Sequence, residues 1–184
     1  MPIPAEPIGS IPRPPRLIEG MGDFEAGRIT QQALDLLRQA ALSDTMQRFE
    51  ATGSPVITDG EQTKPSFATY PIHGLANLVP DGVTIPFADG HTRQLPRLVS
   101  GPFRYKTHAA SYLKAAKQFT RIPLKQAVIS ASALSLLYPQ GGISGYSREE
   151  FLADLAREAE AISASALSRA PTRCKSISPR AASR

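Results

Sequence analysis

The segment Pro55-Val56-Ile57-Thr58-Asp59-Gly60-Glu61 constrains this chain more than any other. Its short, β-branched run suits a buried strand, and it stops abruptly in a carboxylate, a glycine and a second carboxylate. Gly60 lets the backbone turn where a side chain would block it. Asp59 and Glu61 therefore stand at or just past the C-terminal end of a strand, which in parallel α/β folds is the open, ligand-binding rim. Ile8-Gly9-Ser10 obeys the same logic with an apolar residue, a glycine that exposes backbone N–H groups and a hydroxyl. Two such strand ends imply a site for a small ligand that carries an amine or another hydrogen-bond donor.

The rest of the chain alternates in kind. Residues 3–9 read as a short first strand, and the prolines from Pro12 to Pro15 interrupt the chain after it. Thr30 can cap a helix to about Ala51, with Ala33, Leu34, Leu37, Ala41 and Leu42 at helical spacing. Residues 64–75 read as a loop with a short helix. Asp81-Gly82 and Asp89-Gly90 are turn dipeptides beside Val83-Thr84-Ile85 and Leu98-Val99, which predicts a β-hairpin excursion. Thr107 can cap a helix to about Phe119, and residues 124–130 form the next strand. Ser147-Arg148-Glu149-Glu150 is a capping box that opens a helix with Phe151, Leu152, Leu155 and Ala159 inward. This order predicts a parallel α/β protein.

Charge divides the chain in two. Residues 1–160 carry 16 basic and 16 acidic side chains, so the net charge of +5 comes from the tail after residue 160. A nucleic-acid or acidic-membrane partner is thus a property of the tail alone, and none is expected for the body. No apolar run is long enough to cross a membrane. The start lacks the basic and apolar regions of a signal peptide, which leaves a cytoplasmic location as the expectation. The lone cysteine, Cys174, rules out an internal disulfide and any multi-cysteine zinc site.

Past Ala161 the chain becomes Ser-, Ala- and Arg-rich with no acid and no sustained period, which predicts a disordered tail. A second reading is a shifted frame. With permitted codons, starting one nucleotide earlier, residues 161–184 read through a helix end and a glycine turn into Ala-His-Lys-Val-Gln-Ile-Asp-Phe-Thr-Glu. That is an apolar strand with acids after it, the next unit of a βα repeat. On this reading the natural protein is longer.

Several stretches together resemble one family. They are Glu6-Pro7-Ile8-Gly9-Ser10-Ile11-Pro12-Arg13-Pro14, Thr58-Asp59-Gly60-Glu61-Gln62, Ser100-Gly101-Pro102, Lys125-Gln126-Ala127-Val128-Ile129-Ser130 and Ser135-Leu136-Leu137-Tyr138-Pro139. Over roughly residues 3–160 the chain resembles the catalytic barrel of cobalamin-independent methionine synthase, in its short, single-barrel form. Epoxyalkane–coenzyme M transferases resemble the same form. The resemblance implies the N-terminal part of a (β/α)₈ TIM-type barrel, incomplete, with the hairpin as an excursion. It implies zinc-dependent methyl transfer from a methyl-tetrahydrofolate to homocysteine, without cobalamin. Zinc lowers the thiol's pKa and so supplies a nucleophile at neutral pH. Ile8, Gly9 and Ser10 match the family's backbone contact to the amino-acid substrate. Glu61 matches its carboxylate for the substrate ammonium, and Tyr138 lies near where the long form has an aromatic beside folate. The family's zinc ligands, a histidine, a glutamate and two cysteines, belong to later strands and are not in this chain. No catalytic residue or metal ligand is expected in the chain, which by this reading is inactive alone, poorly soluble and truncated. The alternatives are alkyl transfer to another thiol and a non-catalytic half-barrel that binds a partner.

Each of these residues also has an ordinary role. Taken alone, Gly9 and Gly60 read as ordinary turn glycines, and Asp59 as a helix cap or a structural hydrogen-bond acceptor. His73, His91 and His108 lack metal-ligand spacing. Tyr105 and Tyr112 suit packing. Arg93, Arg97 and Arg104 cluster around the hairpin, where a solvated face is the default and anion binding the alternative.

Overall fold

The structure is a computed structural model that describes residues 5–167 and the backbone of Cys174–Ile177. Helix α1 (Pro15–Glu25) starts where the sequence predicts an interruption. Proline at the first turn of a helix gives up an N–H that has no intrahelical partner, so Pro15 begins the helix. Helix α2 (Gln31–Ala51) opens as expected, with the Ala33 N–H donating to Thr30 Oγ1 at 3.2 Å. Leu34 and Ala41 of α2 pack on Leu17 of α1. Leu42 and Met46 face the other way, toward Ile57, Leu113 and Leu124.

The two early strands are less regular than expected. Residues 5–10 make no ladder, and residues 1–4 lie outside the described part. The segment 56–59 is reduced to one parallel bridge, Ile57 to Leu124. Its backbone bonds, Ile57 N–H to Pro123 O at 3.0 Å and Lys125 N–H to Ile57 O at 2.9 Å, nevertheless set its direction. Side chains and turns complete the join: Thr58 Oγ1 donates to Gly9 O at 3.1 Å and the Ile11 N–H to Gly60 O at 3.2 Å.

After a 3-10 turn at Tyr70–Ile72 comes the excursion, built as two nested antiparallel ladders. Strand β1 (Leu78–Val79) pairs with β4 (Arg97–Leu98), and between them β2 (Thr84–Pro86) pairs with β3 (Thr92–Gln94). Helix α3 (Ala109–Ala116) begins after His108 rather than Thr107, without a side-chain cap, and is shorter than expected. Strand β5 (Gln126–Ile129) is buried at every residue, as a parallel strand covered on both faces must be. Helix α4 (Ala131–Leu134) and a 3-10 turn at Ser135–Leu137 lead to helix α5 (Arg148–Leu167). The capping box is complete, with the Glu150 N–H donating to Ser147 Oγ at 3.1 Å and the Ser147 N–H to Glu150 Oε2 at 2.7 Å.

The disorder expected after residue 160 needs correcting in two stretches, and the other tail residues lie outside the described part. Helix α5 runs on to Leu167, because Ala and Ser tolerate a helix and Ile162 and Ala166 are buried. Strand β6 (Cys174–Ile177) then pairs in parallel with β5. It supplies partners to N–H and C=O groups that would otherwise be left unpaired on a strand edge. Cys174's side chain lies outside the described part.

The largest apolar cluster, with Tyr70, Leu98, Phe103, Ile129, Leu137 and Phe151 at its centre, joins the excursion, β5 and α5. Each such side chain contributes ~1.5–3 kcal/mol on burial. Phe151 and Leu155 point inward as expected, whereas Leu152 is exposed. A second device fastens α5. Its carboxylates accept backbone N–H groups of the segment after Pro102, Phe103 on Asp154 Oδ2 at 3.1 Å and Tyr105 on Glu158 Oε2 at 3.1 Å. Tyr146 also donates to Asp154 Oδ2 at 2.6 Å, Arg104 pairs with its Oδ1 at 2.6 Å, and Arg157 pairs there too. Among the described residues no helix is long and apolar enough to cross a membrane.

Candidate functional site

The turn after Thr58 is built by side chains that bond their own backbone. Thr58 Oγ1 accepts the Gly60 N–H at 3.1 Å, and Asp59 Oδ1 accepts the Glu61 N–H at 3.0 Å. These local bonds hold Gly60 at φ 60° and Glu61 at φ 58°, two successive left-handed residues. A Cβ at position 60 would lie 2.8 Å from Ile11 Cγ1 and 2.9 Å from Thr45 Cγ2, so the turn requires glycine. Glu61 is the sole non-glycine residue with positive φ among the described residues. Such strain persists where surrounding contacts over-determine it, as they do here.

Those contacts fix the Glu61 carboxylate. Ser10 Oγ donates to its Oε2, and Lys64 Nζ donates to its Oε1 at 3.1 Å. Lys64 is fully buried; its ammonium also donates to Ala127 O at 3.0 Å and sits 4.4 Å from the Tyr70 ring centre. Arg13 Nη2 donates to Lys64 O at 2.5 Å and Glu61 O at 3.4 Å, clamping the turn from the other side. Gly9 packs against this group; a Cβ there would come 3.2 Å from Ala127 Cβ and 3.8 Å from Glu61 Oε1.

A carboxylate has about four lone-pair sites. Ser10 and Lys64 use one on each oxygen, which leaves Glu61 able to accept further donors. It opens into a cavity of about 250 Å³ that Ser10, Arg13, Phe67 and Arg93 also line. That is below the ~300–1,000 Å³ of drug-sized sites and suits a ligand of amino-acid scale. Behind the turn, burial pushes the Asp59 carboxyl up, opposed chiefly by the Lys64 charge. Burial likewise lowers Arg13, opposed by the Glu61 charge. Asp59 Oδ2 and both polar atoms of the Gln126 amide are buried without a hydrogen bond of normal geometry.

The structure therefore brings Gly9, Ser10 and Glu61 together. Ile8 stands beside them with its side chain exposed. Tyr138 is elsewhere: its hydroxyl donates to Tyr146 O at 2.7 Å, its ring stacks on Phe151, and it lines no part of the Glu61 cavity. The three arginines separate. Arg97 pairs with Asp81 through bonds of 3.0 and 2.8 Å, Arg104 with Asp154, and Arg93 faces the cavity. Lys64 and Arg13 are contributions that sequence reasoning missed. The signal was the run of polar residues after Glu61, which reads as a solvated loop unless a buried carboxylate beside it demands a cation.

Among the described residues no group of three or more His, Cys, Asp and Glu is placed to hold a metal ion. His91 pairs with Asp89 on the hairpin and His108 lies 3.7 Å from Glu158. The zinc that the family resemblance implies does not fit the described residues.

No protein-family model matches the chain, and no curated protein does. Solved structures do. A B12-independent methionine synthase from Shewanella sp. W3-18-1, in complex with selenomethionine, matches 88% of this chain at TM-score 0.63 and 21% identity. A Listeria monocytogenes protein assigned as a vitamin-B12-independent methionine synthase matches 82% at TM-score 0.58 and 23% identity. The chain spans 48% and 44% of their lengths, and the likeness is one of fold.

Proposed function

We propose that the Glu61 cavity holds the ammonium of an amino-thiol, and that the chain is the opening part of a (β/α)₈ barrel whose role is methyl transfer to homocysteine. The carrying observation is the Glu61 carboxylate, held by Ser10 and Lys64 on a strained turn that lines a cavity of amino-acid size. The fold likeness supports the family, and a methionine-like ligand in one of the similar structures supports the ligand class. What the described residues perform is binding and orientation. Ser10 and Lys64 keep the Glu61 carboxylate aimed, Arg13 keeps the turn closed, and the ammonium gains a charge-assisted bond in a site partly shielded from water. In the complete family protein zinc would supply the activated thiolate and a methyl-tetrahydrofolate the methyl group.

Calorimetric titration tests the binding step. L-methionine should bind the whole chain, and Glu61→Gln, which keeps shape and removes charge, should weaken it about tenfold or more. Undiminished affinity in the variant would remove Glu61 from the site.

The shifted-frame reading of the tail is a second proposal. Cys174–Ile177, which pairs with β5, covers the positions where the shifted frame gives Val-Gln-Ile-Asp. That sequence is an apolar strand ending in a carboxylate, the same pattern as Thr58-Asp59. The nucleotide sequence of the gene tests it: without a strand-coding frame across these codons, the reading fails.

A further inference from the structure

The Glu61 cavity has a second end that ammonium binding leaves unused. Arg93 is the middle residue of β3, directly across from Ile85 of β2. In both strands the middle residue turns inward while its neighbours are exposed. Ile85 packs on the large apolar cluster, and cross-strand partners share a face, so the excursion delivers a guanidinium toward the body. There the guanidinium lies over the Phe67 ring, 4.9 Å from its centre. Arg93 Nη1 is shielded from solvent and has no hydrogen-bond partner among the described residues.

A charged donor left shielded and unmet is unfavourable, and a ligand that meets it removes that cost. Arg97 and Arg104, by contrast, are matched to Asp81 and Asp154. The local pairing points the same way. Lys64 already pairs with Glu61, so Glu61 is not free to answer the second arginine that lines the cavity. Arginine's planar fork fits a carboxylate, and Phe67 fixes the plane.

We infer that Arg93 is the carboxylate-recognising residue of this cavity, so that a free α-amino acid spans it with its ammonium on Glu61 and its carboxylate on Arg93. The ammonium half rests on the proposed function; the carboxylate half stands on Arg93 alone. Specificity then comes from a charged group at each end, and the excursion becomes part of the binding site.

Calorimetry with three probes on the whole chain tests this. The probes are L-methionine, γ-methylthiopropylamine (no carboxylate) and γ-methylthiobutyrate (no amine). Arg93→Gln should weaken L-methionine and γ-methylthiobutyrate about tenfold or more and leave the amine unchanged. Arg93→Lys should restore part of the loss, and Arg97→Gln, on the same hairpin, should change nothing. Equal weakening of all three probes by Arg93→Gln, or no weakening of the two acids, overturns the inference. If the Arg93 pattern holds while Glu61→Gln leaves the amine unaffected, the carboxylate end stands and the ammonium reading fails. If no probe binds the unaltered chain, both fail.

Discussion

Gly60 and Glu61 occupy adjacent left-handed backbone positions, but only the first is forced by space. Gly60→Ala must place a Cβ against Ile11 and Thr45 in a conformation L-residues avoid. It should cost about 2 kcal/mol or more, read as a lower urea midpoint with unchanged m. Glu61 accepts its strain because Asp59, Ser10, Lys64 and Arg13 hold both its backbone and its carboxylate. Gly9, Ser10, Gly60 and Glu61 were legible in the sequence because strand-end punctuation is local. Lys64 was not, since its partners are a carboxylate, the Ala127 carbonyl and an aromatic face that only the fold assembles. Arg93 was legible as a cation but not as a cavity residue, because the hairpin register decides which way it points.

Helix α5 depends on Asp154 as much as on its apolar stripe. Burial alone would raise the Asp154 carboxyl, but hydrogen bonds from Tyr146, Arg104, the Phe103 N–H and Arg157 outweigh it and hold it down to about 2. The same burial, with the Asp154 bond, pushes the Tyr146 hydroxyl up to about 12. A carboxyl lower in the folded than in the unfolded state stabilises above its unfolded pKa, near 3.8, and that contribution fades as pH falls toward 2. Asp154→Asn should therefore destabilise the chain at neutral pH, with the gap to the unaltered protein narrowing between about pH 4 and pH 2 in urea titrations. The capping box of α5 was plain in the sequence, and its helix starts where Ser147 and Glu150 place it. The end of that helix was not: loss of acidic residues after Glu160 looked like loss of structure, although Ile162 and Ala166 still bury. Helix α1 was hidden for the opposite reason, since its prolines look like breakers until one of them falls at the first turn.

At the scale of the whole molecule, a parallel set of Ile57, the segment 124–129 and β6 shares the body with two nested hairpin ladders, and one apolar cluster joins them. Alternation of elements foretold the mixed α/β body, while the sheets are smaller than the periodicity suggested because the early strands trade ladder bonds for side-chain stitches. Stability is uneven across such a body. Amides of β5, buried throughout, should exchange slowest, and those of β2 and β3, mostly exposed, should exchange fast in the free protein. Saturating L-methionine should slow the hairpin amides if Arg93 grips the ligand, which hydrogen-exchange mass spectrometry can read. The seat of Lys64 has one more consequence. With no exposed surface on its side chain, its amine is closed to acylating reagents that reach the exposed Lys114. Tagging at Lys64 thus becomes a clock for how often the interior comes apart, and a bound guest should make that clock run slow.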